Sequence, residues 1–370
     1  MLETTGTEGR PLTPFEKYVL KLGWPVLRGV GFSSTEDVVT GPSSMENTPP
    51  GVIFDMDGLQ GLSGVSMIDL PVGWAPQAWD RHLYEKWYLV FEGSGTIEFQ
   101  GSDDGAEVSF DWKKNSLVAI PLNMRHRLKN TGTDRARILI VDNAPLYMDL
   151  LGSWEVVFAE EQVFSDREDR ALKATEPVVD FRMRSDHEGQ APVGWYKHIL
   201  IEDVVDQELQ DGSSIRGEGF NFLALDMSGG ILGAHIGEIP PQTLTNAHCH
   251  MGGALLVCVK GRGYSLAWHG RAGQQPYEEG NESEVKRQDY GYSGQVAVGI
   301  EWYHQHANPY EDPFRQVAFR YGEAPALFNL AHHLNGGTGR KIPLEQADKR
   351  IPADFEAMTE RVRSRTDAPH

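Results

Sequence analysis

From about residue 52 to 143, apolar residues come in short β-type runs broken by turns, and the same texture returns from about 220 to 321. In the first segment WYLVFEGSGTIEFQG reads as two strands joined by a Gly-Ser-Gly turn, and SLVAIP and ARILIVDNAP read as two more. In the second, NFLALDM, GALLVCVKGRGYSLAWHG, GQVAVGI and FRQVAFRYG carry the same signal. Residues 1–50 read as an N-terminal arm with one short helix over 13–23 and a Gly/Ser/Thr/Pro-rich stretch at 41–51. Residues 151–215 are mixed and charged, as expected of an inter-domain connection, and 326–370 reads as a tail that is helical in pieces. The expected bodies are therefore one barrel over 51–150 and another over 216–325.

The two β-rich segments share an internal order, which points to a duplication. Each has an apolar strand running into a glycine turn, Leu89-Val90-Phe91-Glu92-Gly93 and Val257-Cys258-Val259-Lys260-Gly261. Each then has a strand, a tight turn and a histidine. The first copy reads Pro121-Leu122-Asn123-Met124-Arg125-His126 and the second Gly299-Ile300-Glu301-Trp302-Tyr303-His304. Asn130 and Asn308 follow those histidines at the same offset. The simplest architecture is all-β, two tandem double-sheet barrels of the jelly-roll type.

A chain of 370 residues is long enough for two such domains. Its 53 acidic against 34 basic residues give a formal net charge of −19, a surface that repels phosphate backbones and anionic lipid. No nucleic acid and no membrane is expected as a partner, and no apolar run approaches the roughly 20 residues a membrane helix needs. The same field repels small anionic substrates, so such a substrate needs a local positive centre, and a bound metal ion is one. The opening stretch is polar, so no secretory leader is expected. Two cysteines, Cys249 and Cys258, make no disulfide framework, and a cytoplasmic location is expected.

The strongest chemical signal is Ala247-His248-Cys249-His250. On a strand, residues two apart share a face, so His248 and His250 point the same way and Cys249 points away. His304 has its own partner two residues on, His306, in WYHQHAN. Three imidazoles converging inside a barrel bind a first-row divalent metal well. His248, His250 and His304 are the expected ligands. His306 is expected beside them as a hydrogen-bond donor or proton carrier acting on bound substrate or oxygen. Trp302 is a candidate lining residue of the pocket mouth, Arg262 and Arg287 are candidate carboxylate clamps, and His235, on a preceding β run, is a candidate pocket residue. Cys258 reads as a small hydrophobe within the sheet.

These motifs resemble the cupin superfamily in its two-barrel, bicupin form. A cupin begins with a His-x-His pair, usually followed by a Glu and a strand ending in Gly, and closes with a Pro-x-Gly-x-x-His-x-x-x-Asn pattern. Here Ala254 stands at the customary Glu position, so the second barrel offers histidines and no carboxylate. His248, His250, Ala254, Leu255, Trp302, His304, His306 and Asn308 are similar to the iron-binding barrel of gentisate-type ring-cleaving dioxygenases, where the motif lies in the first barrel rather than the second. In the first barrel His82 and His126 match two ligand places, but Asp80 replaces the first His and Lys86 the Glu. An ammonium beside a divalent cation costs Coulomb energy, so that barrel is expected to hold no metal, with Asp80, His82 and His126 left as a weak candidate site.

The resemblance implies an iron(II)-dependent dioxygenase that cleaves a C–C bond in a hydroxylated aromatic acid or a related small anion, with dioxygen as co-substrate. Other divalent first-row metals suit the same donors. Three neutral ligands leave the ion its full charge and open positions for a bidentate anion and dioxygen. Two alternatives stand beside it: a redox-neutral bicupin decarboxylase, isomerase or lyase using the metal as a Lewis acid, and a non-catalytic cupin binding protein. A homo-oligomer is expected, with the arm over 1–50 pairing across subunits.

Overall fold

The computed structural model describes residues 10–101, 106–173, 177–182, 192–250, 252–321 and 340–366. Four sheets make two barrels. A seven-stranded sheet and a three-stranded sheet (Ser94–Gln100, Glu107–Lys113 and Arg125–Lys129) close the N-terminal barrel, and a large sheet and a smaller one built on Arg262–His269 and Trp302–Asn308 close the C-terminal barrel.

The continuous apolar runs arise because the two large sheets are buried on both faces. In Lys86–Glu92, Tyr88 and Val90 point into the N-terminal barrel, while Trp87, Leu89 and Phe91 join a core shared with the other domain. In Ala254–Lys260, Ala254, Leu256 and Cys258 point into the C-terminal barrel and Leu255, Val257 and Val259 into the shared core. Trp87 meets Phe319 edge to face across that interface at 5.9 Å.

The duplication extends to the segments that precede each barrel. Arm residues Gly31–Phe32 pair with Gln295–Val298 of the C-terminal barrel, and Leu200–Ile201 pair with Leu117–Ile120 of the N-terminal barrel. Each domain thus lends a strand to the other. The arm, expected to pair across subunits, pairs within its own chain because sheet edges on both barrels lie within its reach. The stretch expected to be a plain connection also carries Val179–Arg182 and Val193–Tyr196, which extend the large C-terminal sheet. In the tail, residues 326–339 lie outside the described residues. Beyond them, Arg340–Ile342 adds an edge strand beside Ala247–Cys249, and the helix Arg350–Thr366 packs Ile351 and Phe355 onto Tyr264, Leu266 and Trp268.

Candidate metal centre

The strand Trp302–Asn308 alternates cleanly. Tyr303 and Ala307 enter the outer cluster under the C-terminal helix, so residues 302, 304, 306 and 308 face the barrel interior. His248 lies directly opposite His304 in the antiparallel ladder, and their rings are 3.9 Å apart. His250, just past the end of its strand, comes within 4.9 Å of His304 and 5.8 Å of His248, centre to centre. His306 sits 5.4 Å from His304 and 6.0 Å from His248. Four imidazoles therefore cluster in the barrel interior. The three whose ligand nitrogens all lie within 4.8 Å of one another are His248, His304 and His306.

The hydrogen bonds around these rings select their tautomers. His248 Nδ1 donates to the Asn246 carbonyl at 3.3 Å and His304 Nδ1 to the Trp302 carbonyl at 3.2 Å. A carbonyl only accepts, so both rings carry their proton on Nδ1 and turn the Nε2 lone pair inward. For His306 the same result follows along a chain of hydroxyls. Tyr290 donates to Gln316 Oε1 at 2.7 Å, so it accepts from Ser265 at 2.9 Å, and Ser265 Oγ must accept from His306 Nδ1–H at 2.8 Å. The donor function expected of His306 is thus spent on Ser265, away from the cavity. What it presents inward is an acceptor nitrogen.

Burial, with Arg216 adding repulsion, holds His248 well below the ordinary imidazole value, and His306 likewise, with His304 a further contributor. Burial lowers His304 to about 3, opposed by its bond to Trp302 and reinforced by Arg216 and Arg320. Neutral imidazoles with converging lone pairs are the form a metal requires. The donor set fits a divalent first-row ion.

Two cations near the histidines escaped the sequence reading. Arg216 ends the short helix Ser213–Arg216 and is 4 % exposed; its carbonyl accepts from Asn246 N, two residues before His248. Arg320, 9 % exposed, shares the interior face of its strand with Gln316 and Ala318. The signal for Arg320 was available, since it keeps parity with Ala318 in a strand already assigned, but Arg216 lies in an irregular stretch with no period to read. His235, opposite Ala318 and Ala224, also faces the interior, its ring 4.8 Å from Phe222. Trp302 packs beside the interior cluster, over the backbone of Gly299.

Arg262 and Arg287 do not reach the histidines. Ser265 is the inward residue of its strand, and Arg262 has the parity of Tyr264 and Leu266, which face outward under the C-terminal helix. Arg287 lies opposite Leu266 and shares that outer face. The clamp assignment fails for both because strand parity sends them to the wrong side of the sheet.

In the N-terminal barrel, Asp80, His82 and His126 offer ligand atoms within 4.8 Å of one another. His82 Nδ1 donates to Tyr84 O at 2.7 Å and His126 Nδ1 to Met124 O at 3.1 Å, so here too Nε2 faces inward. Lys86 Nζ lies 3.2 Å from Asp80 Oδ2, and its side chain is 12 % exposed. Burial disfavours the Lys86 ammonium, yet Asp80 and the surrounding tyrosines hold its pKa well above the ordinary value. The barrel carries its own fixed cation beside the three ligand atoms.

No known family profile matches the chain. Auxin-binding protein 1 of Arabidopsis thaliana is 35% identical over 68 residues, which is 18% of this chain and 34% of that relative, so the match spans about a third of that relative's length. Among solved structures, oxalate decarboxylase from Bacillus subtilis at pH 4.6 aligns over 80% of this chain and 77% of its own with 12% identity and a TM-score of 0.48. A deletion mutant of that enzyme aligns over 80% and 78% with 12% identity and a TM-score of 0.47. The sheet order, the paired Asn130 and Asn308 turns and the duplicated histidine positions give this chain two tandem double-sheet barrels related by duplication, with four histidines gathered inside the second.

Proposed function

We propose that the chain is a metal-dependent enzyme that cleaves a C–C bond in a small organic acid bound inside the C-terminal barrel. The observation that carries this reading is the set of inward Nε2 lone pairs, His248, His304 and His306 with His250 alongside, and two buried guanidiniums near them. A divalent metal on these nitrogens would supply Lewis acidity and, if iron(II), access to dioxygen. His248 and His304 are the central ligands, and His250 and His306 flank them.

The chain's own residues do the remaining work. Arg216 and Arg320 bind the substrate's carboxylate and any second anionic oxygen, which local charge alone could attract into a protein of net charge −19. Trp302, Phe222 and the aliphatic wall of the barrel exclude water, and His235 contributes a polar edge on that wall. Ser265 keeps His306 in one tautomer and orientation, as a second hydrogen-bonded layer does for ligating histidines generally.

The leading chemistry is oxygen-dependent cleavage of a hydroxylated aromatic acid, supported by the carboxylate-free donor set. The redox-neutral alternative, decarboxylation with the metal as Lewis acid, uses the same carboxylate clamp, and oxalate decarboxylase is the activity named for the solved structures above. One experiment separates them. Iron- and manganese-loaded protein is given hydroxy-aromatic acids and short dicarboxylates with and without air, while oxygen uptake and carbon dioxide release are followed. Oxygen uptake matched to substrate loss supports the dioxygenase. Carbon dioxide released without oxygen uptake supports the lyase. Neither, across both metals, overturns the enzymatic reading and leaves a binding protein. Either activity is expected to vanish in His304→Ala.

The N-terminal barrel, in this proposal, holds no metal, because Lys86 already neutralises Asp80. A homo-oligomer is retained with a different surface. Leu20, Leu150, Leu151 and Val156 are exposed by 43–80% around the packed helices Pro14–Leu22 and Ala144–Leu151. Cys249 and Cys258 are not joined in a disulfide, as a reducing cytoplasm allows, and no helix among the described residues is long and apolar enough to cross a membrane.

A further inference from the structure

The arginines that turn away from the histidines meet a third on the other side of the sheet. Arg262, Arg287 and Arg361, with Tyr310, Met358 and Asp354, line a groove of about 580 Å³ between the sheet and the C-terminal helix. In a chain of net charge −19, three guanidiniums against one carboxylate in a single concavity is a local reversal of sign.

The cations are held in different ways. Arg262 lies over the Tyr310 ring at 4.1 Å and Arg287 over Tyr264 at 3.8 Å, which fixes each guanidinium plane and leaves its N–H edge to face a ligand. Arg287 spends that edge on Asp289, at 2.9 and 2.7 Å, and Asp354 lies 3.4 Å from Arg350. Among the described residues neither Arg262 nor Arg361 has an ion-pair partner. Two guanidinium forks with open donors therefore face one groove of the size that small-molecule sites occupy.

We propose that this groove is a binding site for a small anion with at least two negatively charged oxygens, of the phosphate or dicarboxylate class. Arg262 and Arg361 are its donors, Arg287 is a background charge, and the site is distinct from the histidine cavity. The guanidinium fork matches the oxygen spacing of both anion types. The proposal does not depend on which reaction the histidine barrel performs.

The test is isothermal titration of the full chain in a His304→Ala background, which disables the histidine centre, at low salt with inorganic phosphate and, separately, succinate. Saturable binding of one equivalent of either anion is expected, weakening as sodium chloride is raised. Arg262→Gln and Arg361→Gln are each expected to lower the affinity about fivefold or more, and Arg361→Lys less than Arg361→Gln because it keeps the charge. The metal-loaded parent is expected to show the same groove affinity, since the groove opens on the opposite face of the sheet, and any further equivalent it binds belongs to the histidine centre. Whichever anion binds identifies the class. Binding of neither anion overturns the proposal. So does binding that survives when Arg262→Gln and Arg361→Gln are combined in the His304→Ala background. Both arginines are exposed, so the far-ultraviolet dichroism of these variants should match the parent.

Discussion

Lys86 and Ala254 occupy equivalent places, the first residue of a strand whose far partner is Ile120 in one barrel and Val298 in the other. That single difference separates a barrel with a built-in ammonium from one with an open histidine cluster. Replacing Lys86 with Glu removes the cation and adds a carboxylate beside Asp80, His82 and His126. The expected result is a rise from one to two bound divalent ions per chain, measured by elemental analysis after loading and desalting. An unchanged count, or two ions already present in the parent, would contradict the assignment. The turns before His126 and His304 show a second residue-scale asymmetry. Asn123 and Glu301 both have φ near +60°, at 57° and 61°, where Asn is tolerated and Glu is strained. Glu301→Gly is expected to raise stability by about 0.5–1 kcal/mol, after the entropy cost of glycine in the unfolded chain, as read from the urea midpoint.

At the scale of elements, one device appears twice. Arg137 binds Asp69 through two nitrogens, both at 2.9 Å, and donates to the carbonyls of Thr35, Glu36 and Val38. Arg315 binds Glu238 at 2.7 Å and donates to the carbonyls of Val204, Val205 and Gln207. Each arginine pins the segment that carries a strand across to the other barrel. Asn130 and Asn308 repeat this logic, each donating to two carbonyls at the end of a distant strand, Leu70 and Pro71 or Ile239 and Pro240, and to one four residues on in its own loop, Asp134 or Asp312. Arg315→Met would strand the Glu238 carboxylate and three carbonyls, a loss of about 3 kcal/mol by the precedent of broken buried pairs. Hydrogen exchange should quicken at 200–207 and in the paired strand Leu117–Ile120, while Arg262→Gln, on an exposed surface, should leave both unchanged. The repeated strand order and the asparagine offsets were legible in the chain. The clamps were not, because each joins residues from three distant segments.

For the whole molecule, the consequence of burying so many imidazoles is a pH-dependent stability. Burial depresses His82, His126, His248, His304 and His306, with His126 at about 4 and His304 at about 3. The unfolded chain titrates these groups near pH 6.5. As pH falls from there, the unfolded state takes up protons that the folded state refuses, so stability falls, by up to about 1.4 kcal/mol per pH unit for each histidine. Asp142 works the other way: burial lifts it to about 6, so the folded state gains that proton first and offsets roughly one histidine between pH 6 and 4. Metal-depleted protein is expected to lose urea stability steadily between pH 6.5 and 4.5, and a flat profile would argue against neutral buried rings.

The chain alone determined what depends on local spacing. Alternation within short apolar runs specified strands, the repeated turn-histidine-asparagine order specified a duplicated barrel, and the pairs His248/His250 and His304/His306 marked which barrel carries the four-histidine cluster. The tertiary structure decided everything that depends on which side of a sheet a residue faces and on what lies across from it. It drew Arg216 and Arg320 toward the histidines and turned Arg262 and Arg287 outward. It also committed the Nδ1 proton of His306 to Ser265. Strand parity can be counted only once an inward residue is known, and in sheets buried on both faces hydrophobicity no longer distinguishes inside from outside.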